Sequence, residues 1–437
     1  MGKRQKLKNA RKIGLVALVA ATYAMVAGGP FGLEEIVQNN GYTGALLIIC
    51  FTPLLWALPT TLMVSELASA LPETGGYYVW VCRALGPFWG FQESWLTFMG
   101  SIFDMALYPI LFSTYLAHLV PALGRGFIPF TMGAVMIATC VAMNLLGTSF
   151  VGRGSIIFVL ALLAPFGFLV WWGFSSLHLG AAQANLTKPD LFGGILIAMW
   201  NYMGWDNAST IAGDVQDARR TYTRAMSISL IVVVLTYIFP ILAVAHAGIP
   251  ASAWETGAWV TFAQRLGGEK LAVFMTAAGV VAALSTFNAL VMSLSRLPYA
   301  MARDGFLPKV FAKENARGAP WVAIVVCATF WALATVMGFE ATVMLDVLMT
   351  GLSILLEFAA LIALRIKEPN LARPFRVSGG LTGVVLLSIP PAALIVITCA
   401  RNHAERIGPV NAFTIGLGLV LLGVASYLFG KRRMADR

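Results

Sequence analysis

Charge is what this sequence has least of. Asp, Glu, Lys and Arg together make up 11% of its 437 residues, against about 25% in a soluble domain. So few charges cannot solvate a surface of ordinary size, so part of that surface must face an apolar solvent. Cysteine is also sparse: Cys50, Cys82, Cys140, Cys327 and Cys399 are scattered without CxxC spacing, which excludes a disulfide framework or a zinc site. The four histidines fall in four separate segments with no H-E-x-x-H. The nucleotide loop G-x-x-x-x-G-K-[ST] is missing, and no convergent His, Cys or Ser–Lys constellation appears. An enzyme is therefore not expected, and neither a metal nor a cofactor.

What the sequence does have is apolar length: 59% of its residues are hydrophobic. A membrane-crossing helix takes about 20 such residues, and the breaks in hydropathy mark roughly twelve runs of that kind. They lie near 13–37, 43–70, 86–120, 127–147, 152–174, 190–212, 224–247, 269–302, 320–338, 341–366, 381–400 and 411–430. The runs are continuous and lack period-two alternation, which points to helices over a barrel. The expected fold is all-α and polytopic, spanning the bilayer many times.

The net charge of +10 is a topology signal. With the N-terminus in the cytoplasm, twelve spans leave only Arg125, Lys188, Arg265, Lys270, Arg401 and Arg406 outside. The other basic residues, from Lys3 to Arg437, fall inside. That matches the positive-inside rule and needs no nucleic acid as partner. Both termini are expected in the cytoplasm, with the protein in a plasma or bacterial inner membrane.

Two spans contain their own interruptions. The first is broken by Gly28-Gly29-Pro30-Phe31-Gly32, the sixth around Asn201-Tyr202-Met203-Gly204-Trp205-Asp206-Asn207. Such breaks free backbone hydrogen bonds that lipid cannot replace. They persist only beside a buried cavity, and a pair of them five spans apart points to an inverted-repeat transporter with its site at the midplane. This divides the chain into a basic N-terminus (1–12), a first repeat of helices 1–5 (13–174), a second of helices 6–10 (190–366), two added helices (381–430) and a C-terminus (431–437).

Longer runs carry a family resemblance: GGPFGLEE (28–35), LPETGGYYVWVCRALGPFWGFQESW (71–95), FDMALYPILF (103–112), WNYMGWDNASTIAGDV (200–215), AMARDGFLPKVFAK (300–313), LEFAALIALRIKEPNLARPFRV (356–377) and SIPPAALI (388–395). Together they resemble the amino acid–polyamine–organocation superfamily, most closely its polyamine-uptake and L-type amino acid transporter-like branch. The resemblance implies a LeuT-type fold of twelve helices with 5+5 inverted repeats and proton-coupled uptake of polyamines. Amino acid permeases and exchangers are the alternative. In amino acid carriers of this superfamily the glycine-rich break holds the substrate carboxylate, which implicates Gly28, Gly29, Phe31 and Gly32. Trp200 falls where relatives place an aromatic gate.

The remaining candidates follow from the cost of placing polar groups in lipid. An ionisable residue at membrane depth is a functional candidate by default, which singles out Asp104 and Asp206, with Glu66, Glu93, Asp346 and Glu357 behind them. Glu34 and Glu35 sit within a turn of Pro30, where a carboxylate offsets the helix dipole and makes the site receptive to ammonium groups; Glu35 is the preferred of the two. Tyr202 and Trp205 offer cation–π faces. The coupling ion is expected to be a proton carried by Glu34, Glu35, Asp104 or Asp206. Ser285 and Thr286 are candidate hydroxyl ligands for sodium instead. Some proton-linked relatives carry a span-five lysine, whereas this chain reads Ala161-Leu162-Leu163-Ala164-Pro165-Phe166. Arg83 lies where relatives build an inner gate.

Overall fold

The structure is a computed structural model that describes residues 13–73, 76–146, 153–176, 189–209, 215–337, 339–401, 406–407 and 409–435. The basic segment 1–12, the loop carrying Lys188 and the last two residues lie outside the described part. The helices are α1 (Leu15–Val26), α2 (Glu34–Leu55), α3 (Ala57–Ala70), α4 (Gly76–Leu85), α5 (Pro87–Leu119), α6 (Ile128–Leu145), α7 (Arg153–Ser175), α8 (Leu191–Asn201), α9 (Ala218–His246), α10 (Ala258–Leu294), α11 (Arg296–Arg303), α12 (Trp321–Ala334), α13 (Phe339–Lys367), α14 (Gly380–Arg401) and α15 (Ala412–Ala435). A short antiparallel pair, β1 (Arg406–Ile407) and β2 (Val410–Asn411), joins the last two.

Among the described residues, nine helical runs are long and apolar enough to cross a membrane. The apolar helices Leu15–Val26, Leu191–Asn201 and Trp321–Ala334 are shorter. Each of the roughly twelve apolar stretches read from the sequence overlaps one of these helices, although Glu34–Ala70 and Ala258–Arg303 begin about ten residues earlier than expected. Large apolar side chains such as Phe51, Val135, Trp171, Leu333 and Phe429 project outward, as expected of a surface facing lipid rather than water.

Both expected breaks are present. Residues 27–33 are non-helical between α1 and α2, and α8 ends at Asn201 before an irregular segment. Each short helix is thus half a span ending inside the protein. The α4 helix runs into α5 through Gly86 (φ 97°, ψ 173°). Within α10, Gly268 (φ 78°, ψ −174°) makes a second break of almost the same geometry. These positive-φ, extended conformations are accessible to glycine and strained for other residues. In both places a short helix is thereby set at an angle to the long helix that follows.

One end of the bundle is tied by a buried ion pair. Arg365 Nε and Nη2 donate to the two oxygens of Glu66, both at 2.6 Å. Arg373 Nε lies 3.3 Å from the same carboxylate, and the Val377 amide donates to it at 2.8 Å. Both Glu66 oxygens are therefore taken, so this residue joins α3 to the end of α13 and the Arg-Pro-Phe segment. Arg83 donates to Glu368 at 2.8–2.9 Å beside this latch.

At the opposite end, the first break and α2 are stapled to the start of α10 and the segment before it. Trp259 Nε1 donates to the Pro30 carbonyl at 3.1 Å, and Trp254 Nε1 donates to the Tyr42 hydroxyl at 2.8 Å. That hydroxyl in turn donates to the Ile249 carbonyl at 2.7 Å.

Candidate functional site

Between these two ends lies a cavity of about 870 Å³, counting its opening to solvent, bordered by both breaks. Gly28 and Phe31 come from the first break, Trp200 and Asn201 from the end of α8, and Gly204 and Asp206 from the second break. The α5 helix supplies a polar face at three- and four-residue spacing: Thr97, Ser101, Asp104 and Tyr108. That spacing places all four side chains on one side of the helix. Asp346 and Thr350 face them from α13, and Thr286 from α10.

Three carboxylates, Asp104, Asp206 and Asp346, line this space, and among the described residues no Lys, Arg or His does. Asp104 accepts from Trp200 Nε1 and from the Tyr108 hydroxyl, each at 3.2 Å. Asp346 is buried and accepts from Thr350 Oγ1 at 2.9 Å, one helical turn away. Asp206 is buried too, and its Oδ1 has no hydrogen-bond partner among the described residues. An unpaired buried charge is costly, and an ammonium or a proton arriving in the cavity relieves that cost.

Trp200 lies across the unwound first span. A Cβ placed on Gly32 would come within 2.8 Å of its ring, and the ring meets Phe339 edge-on at 5.7 Å. Phe31 packs against Tyr115 at 4.7 Å and Phe166 at 5.0 Å, forming an aromatic wall on the side of the staple.

Glu34 stands behind that wall, fully buried and satisfied at both oxygens. The Gly32 amide donates to Oε2 at 2.7 Å. The Gly257 amide donates to Oε1 at 3.1 Å, and the Tyr115 hydroxyl donates to the same oxygen. Gly257 is the N-cap of α10, so two helix N-termini, those of α2 and α10, converge on one carboxylate, a favourable placement for negative charge. Glu35 turns away from the cavity: its Oε1 accepts from Thr256 Oγ1 at 2.7 Å, while Oε2 is unpartnered.

The family model for amino acid permeases matches residues 18–421. The chain belongs to the amino acid permease family. It is 33% identical to a polyamine transporter of Oryza sativa subsp. japonica, over 97% of this chain and 80% of the relative. A polyamine transporter of Arabidopsis thaliana is 32% identical over 94% of this chain and 84% of its own length. The human cystine/glutamate transporter is 25% identical over 97% and 86%. The permease is thus an integral membrane transporter of a small molecule.

Of the sequence candidates, Gly28, Phe31, Asp104, Trp200, Asp206, Thr286 and Asp346 border the permease cavity. Gly29, Gly32, Glu34, Glu35 and Ser285 are not among its lining residues. Tyr202 and Trp205 are fully buried packing: the Tyr202 hydroxyl donates to the Ile49 carbonyl at 3.0 Å, and Trp205 Nε1 to the Tyr202 carbonyl at 2.8 Å. The hydroxyl of Thr286 faces Gly28 and has no partner. Thr97, Ser101, Tyr108, Tyr115 and Thr350 were not singled out by sequence reasoning, although the spacing of the first three with Asp104 is a legible helical face. Among the described residues no cluster of His, Cys, Asp and Glu is arranged to hold a metal ion.

Proposed function

We propose that the permease is a secondary carrier that takes up polyamines of the putrescine and spermidine class by proton-coupled alternating access. The observation that carries this reading is the cavity wall: three carboxylates and, among the described residues, no cationic side chain. A zwitterionic amino acid would bring its own carboxylate into that space, where like charges repel. A polyamine brings only ammonium groups, separated by methylene chains that suit the apolar surfaces of Phe31 and Trp200.

The state of the first break supports the same choice. A half-helix N-terminus ordinarily offers free amides to an anionic ligand. Here the Gly32 amide is already bound to Glu34. The chain's own acid thus fills a place that a substrate carboxylate would otherwise take. Both named polyamine transporters are similar along nearly the whole chain.

In this mechanism Asp206, with one oxygen unpartnered, receives an ammonium, and Asp104 holds a second while Trp200 closes over it. Protons exchange on the same cavity carboxylates when substrate is absent, which couples the two movements. The two breaks and the matched hinges at Gly86 and Gly268 support two inverted repeats that rock about this site. The Arg365 latch faces the cytoplasm and the Trp254 staple the outside, with both termini cytoplasmic.

The reading is tested by ligand-induced stabilisation of the purified permease. A ligand at 100 times its Kd raises stability by about 2.7 kcal/mol. Putrescine or spermidine should raise the melting temperature and leucine should not. Stabilisation by leucine alone would make the permease an amino acid carrier.

A further inference from the structure

The cavity carboxylates continue into a second acidic group that substrate binding in the cavity does not use. Helices α5 and α13 run antiparallel and pair in a regular register. Gly100 sits against Thr350, close enough that a Cβ on the glycine would lie 2.5 Å from Thr350 Oγ1. One turn further along, Thr97 Oγ1 and Ser353 Oγ are 2.8 Å apart. Carried one turn more, this register sets Glu93 opposite Glu357, just as it sets Asp104 opposite Asp346.

Glu93 accepts from Thr97 Oγ1 at 2.9 Å and Ser353 Oγ at 3.1 Å. Thr97 also lines the cavity, so one hydroxyl links the two acidic groups. Glu357 is fully buried, and neither of its oxygens has a hydrogen-bond partner among the described residues. The buried Tyr77 hydroxyl, within electrostatic reach of Glu93, Glu357 and Asp206, is unpartnered too. No basic side chain is ion-paired with Glu93 or Glu357 among the described residues. Buried polar atoms in a folded protein find partners in all but rare cases, and two orphaned carboxylate oxygens beside a second carboxylate mark a place for a cation.

We propose that Glu93 and Glu357, with the Tyr77 hydroxyl, form an inner ammonium site. It would hold the far end of a longer polyamine whose near end sits at Asp104 and Asp346. In each helix the two acidic positions are eleven residues apart, about 16 Å along the axis. A short diamine cannot occupy both sites at once, whereas a linear tetra-amine can reach from one toward the other. This inference rests on the polyamine reading above and adds a ruler for chain length to it.

The test compares putrescine and spermine binding to purified wild-type, Glu357→Gln and Glu93→Gln proteins by thermal shift titration. In wild type, spermine should bind more tightly than putrescine. Either substitution should reduce the ratio of spermine to putrescine affinity by about tenfold or more, as expected when one partner of a buried charge pair is removed. A ratio unchanged in both variants overturns the inner site while leaving the polyamine reading intact. Variants that alter only the response of uptake to a proton gradient, with the ratio kept, also overturn it. Failure of wild type to bind either amine removes both claims together.

Discussion

The amide of Gly32 donates to the carboxylate of Glu34 at 2.7 Å, so the leading edge of the broken first span is closed by an acid two residues along. The same carboxylate takes the Gly257 amide at 3.1 Å. The site wall and the Trp254–Trp259 staple therefore share one residue. Glu34→Gln would turn an amide donor toward at least one of these donors and leave a buried group unpaired. The expected loss is about 1–3 kcal/mol of stability, visible as a lower melting temperature. An unchanged melting temperature would mean that Glu34 does not hold the two helix ends together.

Gly32→Ala tests the closeness of the gate. The new methyl would lie 2.8 Å from the Trp200 ring, on a backbone at φ +87°. Strain of this kind is about 1–3 kcal/mol. Uptake should fall at least tenfold in folded protein; adding Trp200→Leu should restore only part of it, because the backbone strain stays. Full activity in Gly32→Ala would contradict the placement of Trp200.

Asp206→Asn separates stability from transport. With Oδ1 buried and unpartnered, removing the charge relieves a burial cost, so the melting temperature should hold or rise. Polyamine affinity should fall about tenfold or more, as a buried charge partner is lost. A fall in stability with affinity preserved would make Asp206 a structural residue.

At the other end, Glu66→Gln leaves Arg365 buried without its partner. Breaking a buried pair in this way costs about 3–5 kcal/mol. Denaturation should show that loss directly. A melting temperature within error of wild type would rule out the latch as a stabilising contact.

Much of this arrangement is legible in the sequence, for definable reasons. The first broken span announces itself because three glycines and a proline within five residues disfavour a helix, and Asp104 and Asp206 stand out because ionisable groups are rare at that depth, whereas Trp200 is marked by the family resemblance. Between Glu34 and Glu35 the sequence is less informative. Neighbours on a helix point about 100° apart, and only the packed structure shows that Glu34 turns inward while Glu35 reaches Thr256. Tyr202 and Trp205 read as cavity aromatics but serve as packing, since the Tyr202 hydroxyl and the Trp205 indole N–H find backbone carbonyls. The opposition of Asp346 to Asp104 depends on the register of two helices far apart in the chain, which a single sequence does not encode in any local pattern.

The most direct measurement is uptake of labelled spermidine by purified permease in proteoliposomes, with and without an inward proton gradient, and with leucine and arginine as competitors. The account predicts accumulation that rises when the outside is made more acidic than the inside and that resists both amino acids. Leucine or arginine uptake with spermidine inert, or spermidine uptake driven by sodium and indifferent to the proton gradient, would contradict it.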